Sequence, residues 1–320
     1  MRVFLSRGDK VLSTIMGKIN QGALALQSVK EKYQNLPTEL IDPFTLSKTA
    51  PYFGFVDIQI TGCAPFVMFS NNDDYVAKNY FWRGTDAYEP MSLKVWTTLA
   101  KKASFVLDIG SYTGLYSLAA AFISPKSKIY SFEGLDVVYS RLLVNKVANN
   151  TGNLNAYHLA ISDKEGVAEF NSYAGDTVLS TGSSLITKNV GRSIFQKKLV
   201  RTACLDTLLV ELSIPSVDLI KIDAEGAEHL IFLGAQQVLN KYSPDIICEF
   251  LTDAETNEIE KTLTNLGYRY FHINEKNMTI RQTSSINSAD NMESLNTLIT
   301  KKTIVQLEEL LKDNTIRKGS

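Results

Sequence analysis

The chain has 320 residues, enough for one large α/β domain with additions or for two modest domains. A hydrophobic fraction of 44% is that of a globular protein, and a net charge of −1 supplies no general attraction for nucleic acid or an anionic membrane. Three cysteines, Cys63, Cys204 and Cys248, fit no zinc or redox spacing and read as buried thiols, while Met1–Lys10 forms no signal-peptide core and no apolar run reaches membrane-span length, so a cytoplasmic protein is expected.

Residues 1–50 carry the weakest pattern. Val11–Val29 is compatible with a helix through Ile15, Ile19, Leu24 and Val29, although Gly17 and Gly22 weaken it. Pro37, Pro43 and Pro51 then break the chain into turns. This extension either covers substrate, supports a homodimer or caps the fold without a functional role. From Phe53 to Phe69 the pattern turns to strands: Val56, Ile58 and Ile60 alternate, and Phe66–Phe69 follow a Gly62–Pro65 turn, which reads as a β-hairpin. Tyr88-Glu89-Pro90 leads into a helix over Met91–Ala100 with Leu93, Trp96 and Leu99 on one face. Glu89 either caps that helix, where its charge favours the dipole, or lies over a ligand cleft.

Phe105–Gly114, FVLDIGSYTG, organises the rest. A short apolar strand ends near Asp108, Gly110 and Gly114 bracket a turn containing Thr113, and Leu115–Ile123 continues as a helix, the first half of a nucleotide-binding βαβ unit. The spacing is not the G-x-G-x-x-G of dinucleotide binders, and an acid stands where a pyrophosphate would approach. A dehydrogenase is thereby disfavoured, and a cationic ligand such as the sulfonium of S-adenosylmethionine is favoured. Lys128–Phe132 reads as a second strand ending at Glu133, placed to accept from both hydroxyls of a ribose; a surface-loop glutamate is the alternative.

A helix follows over Val137–Asn149, then a third strand over Ala156–Ser162, whose end at Ile161 and Ser162 is where an adenine ring would lie. His158, inside that strand, reads as a packed core residue rather than a base. Gly166–Tyr173 and Leu199–Cys204 read as added strands, with the polar stretch Gly175–Lys188 between them as a candidate lid. Lys197, Lys198 and Arg201 read as a solvated face. Val217–Gly226, VDLIKIDAEG, is the second strong feature: a buried strand, then Asp223 and Glu225 two apart at its end, then Glu228 at the start of a helix expected over Ala227–Tyr242. Asp245–Phe250 is a fifth strand ending near Glu249; a helix over Ala254–Leu266 and strands Tyr268–Ile273 and Met278–Thr283 continue the series. Ser284–Ser294 reads as a linker, and Thr303 with Gln306 forms a capping box for a last helix. The expected organisation is an N-terminal extension with a hairpin (1–90), a main domain (91–286), and a polar linker with a C-terminal helix (287–320).

In VLDIGSYTGLYSL, IYSFEG, LIKIDAEGAE, the PDIICEF strand and the Tyr88-Glu89-Pro90 step, the chain resembles the FkbM family of S-adenosylmethionine-dependent methyltransferases from about Val56 to Ile286. Ser111-Tyr112-Thr113 departs from the alanine-asparagine-valine more common there. The resemblance implies a Rossmann-like class I methyltransferase sheet, mostly parallel with its last strand antiparallel, and methyl transfer to a hydroxyl of a small-molecule or glycan acceptor such as a sugar or natural product. It also implies a cofactor site of Glu89, Asp108, Gly110, Thr113, Gly114, Glu133, Ile161, Ser162 and Asp223. Asp223 and Glu225 are the candidates for substrate placement and general base. No metal is expected, the alternative being a divalent ion on Asp223, Glu225 and Glu249. N-methylation of a peptide side-chain amide and a non-catalytic cofactor-binding protein are the rival readings.

Overall fold

The computed structural model describes residues 31, 40–173, 179, 194–251, 256–286, 295–312 and 316–317. The reading of Val11–Val29 lies outside them, as does the Gly175–Lys188 stretch apart from Leu179. Helix α1 (Pro43–Thr49) starts at Asp42, whose carboxylate accepts from the Phe44 and Thr45 amides. Strands β1 (Phe53–Ile58) and β2 (Phe66–Asn71) pair antiparallel as the expected hairpin. Val56, Ile58, Phe66 and Met68 turn inward to a core shared with Leu93 and Trp96. On the open edge of β2, Asn145 Oδ1 accepts from Phe69 N at 2.7 Å and Asn149 Oδ1 from Val67 N at 2.9 Å. Those side chains occupy backbone groups that would otherwise template another strand, and they tie the hairpin to the domain that follows.

Helices α2 (Tyr75–Arg83) and α3 (Pro90–Ala100) lead to β3 (Phe105–Ile109), α4 (Leu115–Ile123), β4 (Lys128–Glu133), α5 (Asp136–Ala148) and β5 (Leu154–His158). The chain then leaves the main sheet: β6 (Ala160–Ile161), β7 (Gly166–Tyr173) and β8 (Ile194–Ala203) form a three-stranded sheet of order β6-β8-β7. The single third strand expected from Ala156 to Ser162 is thus two strands in two sheets. His158, at the break, is exposed rather than packed in the core; its ring stacks on Tyr139 with centroids 5.1 Å apart and its Nε2 meets Gly134 O at 2.9 Å. Lys197 pairs with Glu169 and Lys198 with Asp136 at the solvated face.

After α6 (Leu205–Glu211) come β9 (Leu219–Ile222), α7 (Glu228–Leu233), α8 (Gln236–Tyr242), β10 (Asp245–Glu249), α9 (Asn257–Asn265), β11 (Arg269–Asn274), β12 (Thr279–Thr283), β13 (Asn296–Thr300), α10 (Ile304–Leu311) and β14 (Ile316–Arg317). The expected helix Ala227–Tyr242 breaks at Gly234, where a Cβ would stand 2.1 Å from Ser162 O. Asp206 restarts the second half by accepting from the Gln237 and Val238 amides. The main sheet has the order β14-β12-β11-β13-β10-β9-β3-β4-β5, with β10, β9, β3, β4 and β5 mutually parallel. Strand β13, which the sequence reading left without an element, inserts antiparallel to both β10 and β11. The molecule is an α/β Rossmann-like sheet, mostly parallel, in which β13, β12 and β14 run opposite to the other six strands. Side chains alternate between two cores: Val106, Leu219 and Ile247 face one, Leu107, Ile220 and Ile246 the other. Cys248 is buried, whereas Cys63 and Cys204 are half-buried, short of the burial expected. The capping box at Thr303 and Gln306 is present, and Leu307 and Leu311 of α10 join the first core. No helix among the described residues is long and apolar enough to cross a membrane.

Candidate active site

A cavity of about 340 Å³ opens beyond the C-terminal ends of β3, β4, β9 and β10, the place where open parallel sheets bind ligands. The turn after β3 forms one wall. Gly110 has φ 74°, and a Cβ there would stand 1.7 Å from Asp223 O, so only glycine lets the β3 and β9 turns meet. Tyr112, at φ 48°, directs its backbone N–H to Glu133 Oε2 at 3.1 Å, and Leu135 N donates to Oε1 at 2.8 Å. Burial pushes the Glu133 carboxyl up to about 7 against the pull of those amides. Leu135, Val138, Ile161 and Phe170 give the same end an apolar lining.

The other end is crowded with acids. Asp108 is 1% exposed, accepts from the Ser117 hydroxyl, and is pushed by burial up to about 6. Glu89 Oε2 accepts from the Tyr116 hydroxyl at 2.5 Å. Burial raises the Glu89 carboxyl, with Lys221 pulling the other way. Burial, and then the Asp223 and Glu89 charges, hold the Glu249 carboxyl well above the usual range. Lys221 is the cation at their centre. Its Nζ lies 3.5 Å from Asp223 Oδ2 and 3.2 Å from Asn296 Oδ1, and 5.0 Å from the Tyr116 ring centroid. Burial alone would lower the Lys221 ammonium, but the Asp223, Glu89 and Glu249 carboxylates raise it above an ordinary lysine.

Of the residues singled out from sequence, Glu89, Asp108, Gly110, Glu133, Ile161, Asp223 and Glu225 line the cavity together. Thr113, Gly114 and Ser162 stand outside its wall. The Thr113 carbonyl accepts from Asn145 Nδ2 at 2.8 Å, a Cβ on Gly114 would meet Leu142 at 2.5 Å, and Ser162 donates to Asp163 at 3.1 Å. Glu228 turns back instead to accept from the Ala224 and Gly226 amides. Glu89 makes no side-chain cap to its helix. Glu89, Tyr112 and Glu225 all have left-handed backbones, φ 44°, 48° and 54°, the kind of strain that collects at ligand sites. Sequence reasoning missed Lys221 and Asn296. A lysine inside the apolar run LIKI is itself a signal, because a buried ammonium requires counter-charges; Asn296 gives none. Among the described residues, no group of three His, Cys, Asp or Glu side chains is arranged to hold a metal ion.

A ligand with a vicinal diol, a flat ring and a cationic centre matches this cavity: a carboxylate for the diol, apolar walls for the ring, acids for the charge. The model of the methyltransferase FkbM domain matches residues 108–270, just over half of the chain. Over an alignment of 159 residues the chain is 26% identical to the AMB antimetabolite synthetase AmbE of Pseudomonas aeruginosa, covering 40% of this chain and 7% of that protein. The chain thus spans only a small part of that curated relative. Among solved structures, it is similar to the precorrin-6y C5,15-methyltransferase of Geobacter metallireducens GS-15, with 12% identity, TM-score 0.40, and coverage of 67% of this chain and 88% of that one. The methyltransferase FkbM of Methylobacillus flagellatus KT gives 11% identity, TM-score 0.37, and coverage of 61% and 43%. Since the matched segment runs from Asp108 through both acid-bearing turns, the chain belongs to the methyltransferase FkbM domain family, and its cofactor is S-adenosylmethionine.

Proposed function

We propose that the protein transfers a methyl group to a hydroxyl of a sugar or natural-product acceptor. The observation that carries this reading is that Asp223 and Glu249 line one cavity with Lys221 and Glu133, the Lys221 ammonium lying 3.5 Å from Asp223 Oδ2. S-adenosylmethionine, when bound, supplies a methyl group on a cationic sulfur. Glu133 would accept from the ribose hydroxyls, and Leu135, Ile161 and Phe170 would pack against the adenine. Asp108 and Glu89 would hold the methionine end, with Gly110 allowing close approach.

Acids beside a sulfonium stabilise the ground state more than the transition state, in which the charge disperses, so Asp108 and Glu133 bind rather than accelerate. Rate then comes from aligning the acceptor oxygen and from taking its proton. A carboxylate of ordinary basicity is a poor base toward an alcohol. Burial and then the charges of Asp223 and Glu89 raise the affinity of Glu249 for a proton, and Asp223, beside it and held by Lys221, is the residue we assign to the acceptor proton. Glu225, on its strained turn, would position the acceptor.

Incubation with S-adenosylmethionine and two panels tests the reading: hydroxylated sugars and natural products in one, peptides with side-chain amides in the other. The expected result is a product heavier by one CH2, located on oxygen by fragmentation. Methylation confined to the amide panel would replace oxygen with nitrogen as the acceptor. Cofactor binding with no product from either panel would favour a non-catalytic role.

A further inference from the structure

Helix α3 presents an exchange of roles between two glutamates. Glu89 occupies its N-cap position, where a carboxylate ordinarily adopts an extended backbone and accepts from the amides of the first turn. Here Glu89 instead has φ 44° and ψ 53° and makes no side-chain cap. Pro90 brings no N–H. The Met91 and Ser92 amides are taken by Glu275, 184 residues from Met91, in the turn between β11 and β12. Met91 N donates to Glu275 Oε2 at 2.8 Å, Ser92 N donates to Oε1 at 3.1 Å, and the Ser92 hydroxyl closes on Oε1. A negative group at a helix N-terminus is favourable whichever chain segment supplies it. With that place filled, the Glu89 side chain is turned toward the Tyr116 hydroxyl and the cavity.

We propose that Glu275 is a positioning residue that keeps Glu89 in the cofactor cavity by occupying the cap Glu89 would otherwise make. A left-handed backbone is disfavoured for any residue with a Cβ and persists only where its surroundings hold it. Without Glu275, two buried amides lose their acceptor and Glu89 is the nearest carboxylate able to replace it. Relaxing to an extended backbone, Glu89 would swing back to its helix and leave the cavity. Both glutamates lie outside the segment 108–270 matched by the family model, so this arrangement belongs to what surrounds that segment. The inference rests on reading Glu89 as a partner of the cofactor's methionine end.

The test compares two probes by calorimetry: S-adenosylmethionine, which has that end, and adenosine, which lacks it. Glu275→Ala should weaken S-adenosylmethionine by about tenfold, the scale of one hydrogen bond to a charged group, and leave adenosine within about twofold. Glu89→Gln should show the same split, and the double variant should lose no more than either single one, as expected for residues acting through one contact. Ser92→Ala, which removes only the hydroxyl contact, is the milder probe should Glu275→Ala fold poorly, and should shift the same ratio in the same direction. Equal loss of both probes, additive losses in the double variant, or unchanged S-adenosylmethionine affinity in both Glu275→Ala and Ser92→Ala would overturn the positioning role. Unchanged affinity in Glu89→Gln would sink the reading of Glu89 itself, and the inference with it.

Discussion

The two ends of the cavity use the same residue types in opposite ways. At the β4 end, Glu133 faces two backbone amides, Tyr112 N and Leu135 N, both supplied by turns close to it in the fold. At the β9–β10 end, Asp223, Glu249 and Glu89 face one another across a single ammonium, and β9, β10 and the start of α3 must come together to build that cluster. Amides make a carboxylate a fixed acceptor, while neighbouring carboxylates give it a reason to hold a proton. One end is therefore suited to holding a ligand in place, and the other to holding a proton.

Replacing one acid at each end separates the two roles. Asp223→Asn should lower turnover by about 10²- to 10⁴-fold, the range for a lost general base, while S-adenosylmethionine affinity measured by calorimetry changes by less than about tenfold. Glu133→Ala should do the reverse, weakening affinity by roughly 10- to 100-fold, the worth of hydrogen bonds to a charged group, and changing saturated turnover little. If both variants lost affinity and turnover alike, the division between the ends would fall.

A smaller effect follows from the buried carboxyls, and its sign is fixed by their direction of shift. Glu133 is raised from 4.5 to about 7, and burial is the main cause. In the ligand-free protein the stability contributed by its neutral form is fully present below pH 4.5 and is lost as pH rises through about 7. Glu133→Gln cannot ionise, so its thermal midpoint should gain on that of the parent protein between pH 5 and pH 8, by the equivalent of at most about 3 kcal/mol. Cofactor affinity should move the other way. Ribose hydroxyls and a sulfonium both favour ionised acids, so binding to the parent protein should tighten over the same interval, by less than about tenfold per pH unit. A midpoint difference independent of pH would show that Glu133 is already ionised at pH 5.

The recognition end was legible in the sequence because its parts are local. Phe105–Ile109, the glycine turn and the strand ending at Glu133 lie within one βαβ unit, and period, glycine and acid each mark their own place. The β9–β10 end was legible only in outline. Asp223 and Glu225 stand out after LIKI, but Asn296 sits in a five-residue strand, Asn-Thr-Leu-Ile-Thr, beside a polar stretch, and its identity as a strand comes from β10 and β11 rather than from its own pattern. The break at Gly234 depends on a carbonyl of Ser162 that no helical periodicity could reveal. Glu89 was open to two readings because a capping position and a cleft position coincide in sequence. The arrival of Glu275 from the turn after β11, where it takes the Met91 and Ser92 amides, decides between them.

The place of β13 has a consequence for how the polypeptide is made. Strands β3, β4, β5, β9 and β10 can join in the order in which a ribosome delivers them, each finding a neighbour already synthesised. The β11–β12 hairpin has no such berth: it emerges before the strand that must separate it from β10. Until Asn296–Thr300 is translated, the nascent chain carries one bare edge on β10 and another on β11, the surfaces through which unfinished sheets stick to one another. The residue that completes the lysine's surroundings, Asn296, travels on that same late strand, so the β9–β10 end of the cavity is finished only when the sheet itself is sealed.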